Sequence, residues 1–158
     1  FTIKRYPEHD GVTCRLHELL VGETVCIAEP FETFRYKGPG VFIAGGAGIT
    51  PFLALLRDLK TRNALAGNTL VFANKTEEDI ICRDELAKMP GLKVVHVLSE
   101  ESKSGMHHGM VDADLLNEIT GGNLNQEFYL CGPPPMMEAV KGHLEELGVS
   151  PDAVSLDE

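Results

Sequence analysis

Val41–Leu56, V-F-I-A-G-G-A-G-I-T-P-F-L-A-L-L, decides how this chain folds. Val41 to Ala44 is an apolar run with β-branched Val and Ile, and Gly45, Gly46 and Gly48 follow it. Thr50 and Pro51 then open a second apolar run in which Phe52, Leu55, Leu56 and Leu59 recur at helical spacing. The pattern predicts a buried strand, a tight turn and a helix in direct succession. Pro51 suits the first turn of a helix, where no amide donor is needed. The amide hydrogens at such a start lack acceptors within the helix and face whatever occupies the turn. Glycines let a bulky anion approach the backbone, so the stretch is a place for a phosphate-bearing ligand. It is also how ordinary α/β units close. It is not the fingerprint G-x-G-x-x-G, because Pro51 stands where the third glycine would be, and no Lys-Ser or Lys-Thr follows to make a P-loop.

A second stretch decides. Phe128 to Met137, F-Y-L-C-G-P-P-P-M-M, repeats the grammar: a buried strand, a glycine at its carboxyl end, then prolines opening a helix. Cys131 is placed to face the same crevice, although a strand-end cysteine is more often an inert buried residue. Three consecutive prolines fix the exit direction at the cost of three amide donors.

The rest of the chain supplies the frame. Strands are expected at Phe1–Tyr6, Thr24–Ala28, Thr69–Ala73, Leu92–Leu98 and Ala153–Leu156, besides those at Val41–Ala44 and Glu127–Cys131. Thr13 is expected to cap a short helix whose inward residues are Leu16, Leu19 and Leu20. Loops are expected at Pro7–Gly11 and Pro30–Gly40. Helical pieces are expected at Arg83–Lys88, at Asp112–Ile119 behind an acidic cap, and from Pro134 to Leu147. From Val41 the strands and helices alternate, which predicts an α/β fold with a five-stranded parallel sheet covered on both faces. Ligands in such sheets sit at the carboxyl ends of the strands, at the switch point. Residues 1–38 have the rhythm of an antiparallel barrel and are too few to close one. They are read as a barrel remnant preceding a nucleotide-binding domain at 39–158, and the opening at Phe1, mid-pattern, leads us to expect further sequence upstream.

Composition excludes several classes. The 158 residues are 43% hydrophobic and 24% charged, as in an ordinary globular protein. With 24 acids against 14 Lys and Arg the net charge is −10, which argues against nucleic acid as a partner. No apolar run approaches the ~18 residues of a membrane span, and no secretory signal pattern opens the chain. Cys14, Cys26, Cys82 and Cys131 lie too far apart for C-x-x-C or ferredoxin-like spacing, so no metal site is expected, and reduced thiols in a cytoplasmic protein are the simplest reading.

Taken together, G-G-A-G-I-T-P at Gly45–Pro51 and C-G-P-P-P-M at Cys131–Met136 resemble the ferredoxin–NADP reductase superfamily, most closely its flavodoxin-reductase and NADH–cytochrome reductase branches. N-K-T-E-E-D-I at Asn74–Ile81 is similar to the segment those proteins carry after their second sheet strand, and D-G-V-T with L-x-V-G-E-T-V resembles the last part of their flavin barrel. The resemblance implies a pyridine-nucleotide domain that passes a hydride from NADH or NADPH to the N5 of FAD, for onward transfer to a small redox protein or other acceptor. It implies that Gly45, Gly46, Gly48, Thr50 and Pro51 lie against the nucleotide's phosphates and nicotinamide, with Asn74 in the same binding set. Cys131 and Gly132 would close over the nicotinamide ring, while Pro133, Pro134 and Met136 shape the wall. Cys131 and Thr50 are then the candidate catalytic residues. Gly11, Val12 and Thr13 match the stretch that holds the flavin's pyrophosphate. Hydride transfer needs two rings in near contact, with proximity supplying most of the catalysis.

The chain departs from the family in lacking an upstream Arg-x-aromatic-Ser/Thr strand, and it has no terminal aromatic after Glu158. We therefore expect it to bind nucleotide and to hold FAD weakly or not at all. Glu100 and Glu101 would repel a 2′-phosphate whereas Lys75 would welcome one, and the balance leans to NADH. His107-His108 is read as a solvent-facing pair, since adjacent residues of a strand point apart; Glu77, Glu78 and Asp79 are read as a solvated helix-entry run, with Glu77 as a nucleotide contact the lesser alternative. The competing function is a nucleotide-binding module without catalysis. A flavin-independent dehydrogenase lacks a candidate acid or base in either motif.

Overall fold

The computed structural model describes residues 2–5, 10–29 and 34–156, and the chain divides into two units, residues 1–32 and 33–158. Among its described residues the first unit contains one helix, α1 (Val12–His17), with Gly11 as its N-cap in an extended conformation. Thr13 therefore lies inside the helix rather than capping it. Its buried residue is Cys14, while Leu19 and Leu20 lie past the helix end and are 42% and 74% exposed. The strands expected at Phe1–Tyr6 and Thr24–Ala28 do not form among the described residues. A strand exists only by pairing its backbone with a neighbour, and alternating side chains alone do not provide one. Phe1, Tyr6 and most of the loop expected at Pro7–Gly11 fall outside the described residues, as does the start of the connector at Pro30.

The second unit is a single parallel sheet. Its strands are β1 (Gly40–Gly45), β2 (Thr69–Asn74), β3 (Lys93–Leu98), β4 (His107–His108), β5 (Glu127–Cys131) and β6 (Val154–Leu156), in the order β4-β3-β2-β1-β5-β6. Every neighbouring pair is parallel. The sheet has six strands where five were expected. The extra one is the two-residue edge strand at His107–His108, too short to show a period of its own. The helices are α2 (Ile49–Thr61), α3 (Arg83–Ala87), α4 (Ala113–Thr120) and α5 (Pro134–Glu146). Asp112 caps α4 by accepting from the Leu115 amide at 2.9 Å, as the acidic cap predicted.

Strand alternation divides the core in two. Phe42, Ala44, Leu70, Phe72, Tyr129 and Cys131 pack with Ile49, Phe52, Leu53 and Leu56 of α2 on one face. Val41, Ile43, Val71, Phe128 and Leu130 pack with Leu115, Leu116, Val140 and Leu144 of α4 and α5 on the other. β1 is buried along its whole length, which explains its near-continuous apolar run.

Two polar residues lock the entry to this sheet. Asn68 Oδ1 accepts from the Gly40 amide at 3.2 Å and from the Tyr36 hydroxyl at 3.3 Å, while its Nδ2 donates to the carbonyls of Ala64 and Leu65. The Tyr129 hydroxyl accepts from the amides of Lys37 and Gly38 and donates to the Gly38 carbonyl. Its ring stacks on Phe42 with centroids 4.5 Å apart, and burial pushes its hydroxyl above the usual tyrosine range. The connector is thereby tied to the amino ends of β1 and β5, leaving their carboxyl ends for function.

Candidate functional site at the carboxyl ends of β1 and β5

The chain runs outward from β1 through β2 and β3 to one edge, then returns to lay β5 on the other side of β1. The order reverses between β1 and β5, the place where sheets of this kind bind their ligands. Ala44 is paired with Cys131, so the two glycine turns leave the sheet side by side. Gly46–Gly48 forms a single 3-10 turn leading straight into α2. On the other lip Pro133 precedes α5, whose first two residues are Pro134 and Pro135.

The lips touch. A Cβ on Gly48 would lie 2.2 Å from the Cys131 carbonyl oxygen and 2.8 Å from the Gly132 nitrogen. On Gly45 it would lie 2.4 Å from Met136 Sδ and 2.8 Å from Pro133 Cδ, and on Gly132 3.1 Å from Gly45 Cα. Gly48 and Gly45 are demanded by lip-to-lip packing and Gly132 fits tightly against it, a reason different from the anion approach read in the sequence. Gly46 sits in the left-handed region at φ +52°, which favours glycine. Gly45, Gly48 and Cys131 form a buried floor, and Gly46, Thr50, Pro51, Gly132, Pro133, Pro134 and Met136 form a partly or fully exposed rim.

Cys131 belongs to the core cluster on the α2 face, together with Ile49 and Phe52. Thr50, in the first turn of α2, is therefore on the same side of the sheet as Cys131. Among the described residues no cluster of three or more His, Cys, Asp or Glu could hold a metal ion.

An oxidoreductase NAD-binding domain family model matches residues 42–142, which contain both glycine turns and every strand from β2 to β5. The chain belongs to this family. The NAD-binding domain is 33% identical to NADH-cytochrome b5 reductase 1 of Aspergillus terreus, a match covering 92% of this chain and 54% of the relative. It is 30% identical to the reductase component of propane 2-monooxygenase from Mycolicibacterium goodii, covering 99% of this chain and 49% of that one. Among solved structures, the FAD/NAD-binding domain of a nitric oxide dioxygenase from Vibrio cholerae superposes with a TM-score of 0.70 at 27% identity, over 82% of this chain and 54% of that chain. The chain spans about half the length of these relatives. The likeness to the ferredoxin–NADP reductase superfamily read from the two motifs is thus confirmed.

The NAD-binding domain carries a second polar region at the ends of β2 and β3. Lys75 pairs with Glu100 at 3.0 Å. Lys103 reaches both Glu101 at 3.0 Å and Glu77 at 3.2 Å, and Arg83 pairs with Glu77. Glu101 also accepts from the Glu77 amide at 2.8 Å. Arg83 first, then Lys103, holds the Glu77 carboxyl below the usual range; the Glu77 amide and Lys103 do the same for Glu101. Glu77, part of the solvated run read in the sequence, is the hub of this network. Sequence spacing does not mark Lys103 and Arg83 as a cluster, because Glu77, the carboxylate they share, lies on a separate turn.

Asn74 ends β2 and is 8% exposed. Gly11, Val12 and Thr13 lie in the first unit, at the start of α1. There Cys14 and Arg15 donate back to the Gly11 carbonyl, so the amides of Val12 and Thr13 precede the helix's own bonds. Donors of that kind fit a pyrophosphate. His107 and His108 sit on β4, where His108 Nδ1 is 2.9 Å from the Glu101 carbonyl oxygen.

Proposed function

We propose that this chain is the pyridine-nucleotide portion of a flavin-dependent reductase, taking a hydride from NADH for delivery through FAD to a protein acceptor. The observation that carries the proposal is the Ala44–Cys131 pairing, which brings two glycine-ended strands, each followed by a proline-headed helix start, side by side next to the first turn of α2. FAD, when bound, would supply the hydride-accepting N5. The chain's own task is to hold the nicotinamide ring still at the rim formed by Thr50, Gly132 and Pro133, and to keep water from its inner face with Cys131 and Met136. Positioning of this kind accounts for most of the rate in such transfers.

The relatives' names support the reading: one reduces cytochrome b5, another serves an oxygenase, and a structural neighbour binds FAD and NAD. NADH rather than NADPH is favoured by the network at β2 and β3. Each cation there, Lys75, Arg83 and Lys103, is already engaged by a carboxylate, so a 2′-phosphate would have to displace one. A cytoplasmic location belongs to the same proposal.

The test is NADH oxidation with ferricyanide, with and without added FAD, on this chain and on one extended upstream. We expect turnover only with FAD, and far more in the extended protein. Nucleotide binding with no turnover in either would favour a binding module without catalysis.

A further inference from the structure

Of the five methionines in this chain, one is built into the contact between the two strand ends. A Cβ on Gly45 would collide with Met136 Sδ and stand 3.3 Å from its Cε, while a Cβ on Gly132 would stand 3.4 Å from the same sulfur. The thioether is thus wedged against a glycine of each lip at once. No other methionine is among the nearest atoms around Gly45, Gly48 or Gly132. Met89 is 4% exposed, Met106 and Met137 pack against the two core clusters, and Met110 is 68% exposed and packs against neither.

Two features make that sulfur a chemically sensitive point. Met136 is only partly buried, so the rim it occupies is open to an oxidant little larger than water. Its backbone, by contrast, is held: Pro133, Pro134 and Pro135 fix the chain entering α5, and the Met136 amide donates to the Pro133 carbonyl at 2.9 Å. A side chain that gains an atom there finds no slack in the helix, and the glycines opposite have no side chain to turn aside. Close-packed surfaces pass such a change on to their neighbours.

We propose that Met136 is a redox-modification site, converted by hydrogen peroxide to methionine sulfoxide, and that the sulfoxide pushes the two strand ends apart and weakens nucleotide binding. The inference rests on the proposed function, which places the nucleotide at these strand ends. In the step a sulfur lone pair attacks one peroxide oxygen, the S–O bond forms and the O–O bond breaks. The departing hydroxide takes the proton of the transferred oxygen and leaves as water, so sulfur loses two electrons and the peroxide gains them. The product is polar and larger than the thioether, and methionine sulfoxide reductases return it to the starting side chain.

The experiment treats the chain with hydrogen peroxide in steps, removes the peroxide and restores cysteine thiols with dithiothreitol. The dissociation constant of NADH is then measured against the sulfoxide content of each methionine, read by peptide mass spectrometry. Affinity should fall about tenfold as Met136 is converted, and return when methionine sulfoxide reductases A and B act on the protein. Met110→Leu should show the same loss. Met136→Leu, whatever its starting affinity, should be indifferent to peroxide although it keeps all four cysteines. The inference is overturned if Met136 stays reduced while Met110 oxidises, if its sulfoxide leaves the affinity unchanged, or if Met136→Leu loses affinity as the wild type does. Each of these leaves the function standing. An untreated wild type that does not bind NADH would overturn the function and the inference together. Should Met136→Leu not fold, the wild type decides alone: affinity recovered by the reductases must follow the Met136 peptide, and recovery that follows Met110 instead refutes the assignment.

Discussion

Gly48 and Cys131 meet backbone to backbone: a Cβ on the glycine would lie 2.2 Å from the cysteine's carbonyl oxygen and 2.5 Å from its carbonyl carbon. No rotamer change relieves such a clash, because the obstacle is main chain. Gly48→Ala must push the two strand ends apart. We expect a loss of about 3 kcal/mol in stability, with a melting temperature lower by roughly 6–12 °C, together with weakened NADH binding. Calorimetry and a binding titration check both, and an unchanged melting temperature would contradict the lip-to-lip packing.

Gly45 makes the same argument with a softer neighbour. Its closest obstacle is Met136 Sδ, the far part of a flexible side chain, with the stiffer Pro133 Cδ behind it. Gly45→Ala should therefore destabilise, and adding Met136→Ala should recover part of the loss. No side-chain truncation should recover Gly48→Ala. A double-mutant cycle measures the difference.

Tyr129→Phe removes one oxygen that serves three hydrogen bonds, to Lys37, Gly38 and the Gly38 carbonyl. Two amides lose their acceptor, at a cost of about 2 kcal/mol. The effect should appear in the unfolding midpoint and leave the nucleotide affinity alone, since Tyr129 acts at the opposite end of the strands from the site.

His96 gives the domain a pH dependence. Desolvation, and then the charge of Arg83, lowers its pKa from 6.5, and its Nδ1 is buried without a partner among the described residues. The unfolded chain therefore takes up a proton more readily than the folded one. Stability from this group is complete above about pH 6.5 and is lost as the pH falls below it toward the lowered folded value. Melting temperatures measured from pH 7.5 to 5.5 should decline in the wild type and decline less in His96→Phe. Parallel curves would contradict this.

The cation network bears on coenzyme choice. Replacing Glu77 and Glu101 together by Gln would free Lys103 from both of its carboxylates. The ratio of NADPH to NADH affinity should rise roughly fivefold at low ionic strength and less in high salt, because these groups are exposed. A ratio unmoved at low salt would remove the network from the account of specificity.

Much of this arrangement was legible before any coordinates. Val41–Leu56 combines a β-branched run, clustered glycines and a proline-headed helix in sixteen residues, and Phe128–Met137 repeats the combination, so both lips could be placed. What the glycines are for was not legible, because Gly45, Gly48 and Gly132 answer to atoms of the other lip, more than eighty residues away along the chain. The two residues of β4 carry no period, and its pairing with Val97 and Leu98 is a tertiary event. In the first unit, alternation at residues 2–5 and 24–28 looked like strands, yet no pairing partner is present there among the described residues.

The most direct measurement is an amide chemical-shift titration of the isotopically labelled chain with NADH. With one slot between the two turns, amides from Gly45 to Thr50 and those of Cys131 and Gly132 should move together along one binding curve, Pro51 having no amide proton to report. Movement of one glycine turn with the other silent, or of neither while NADH binds elsewhere, would contradict a single nucleotide slot between β1 and β5.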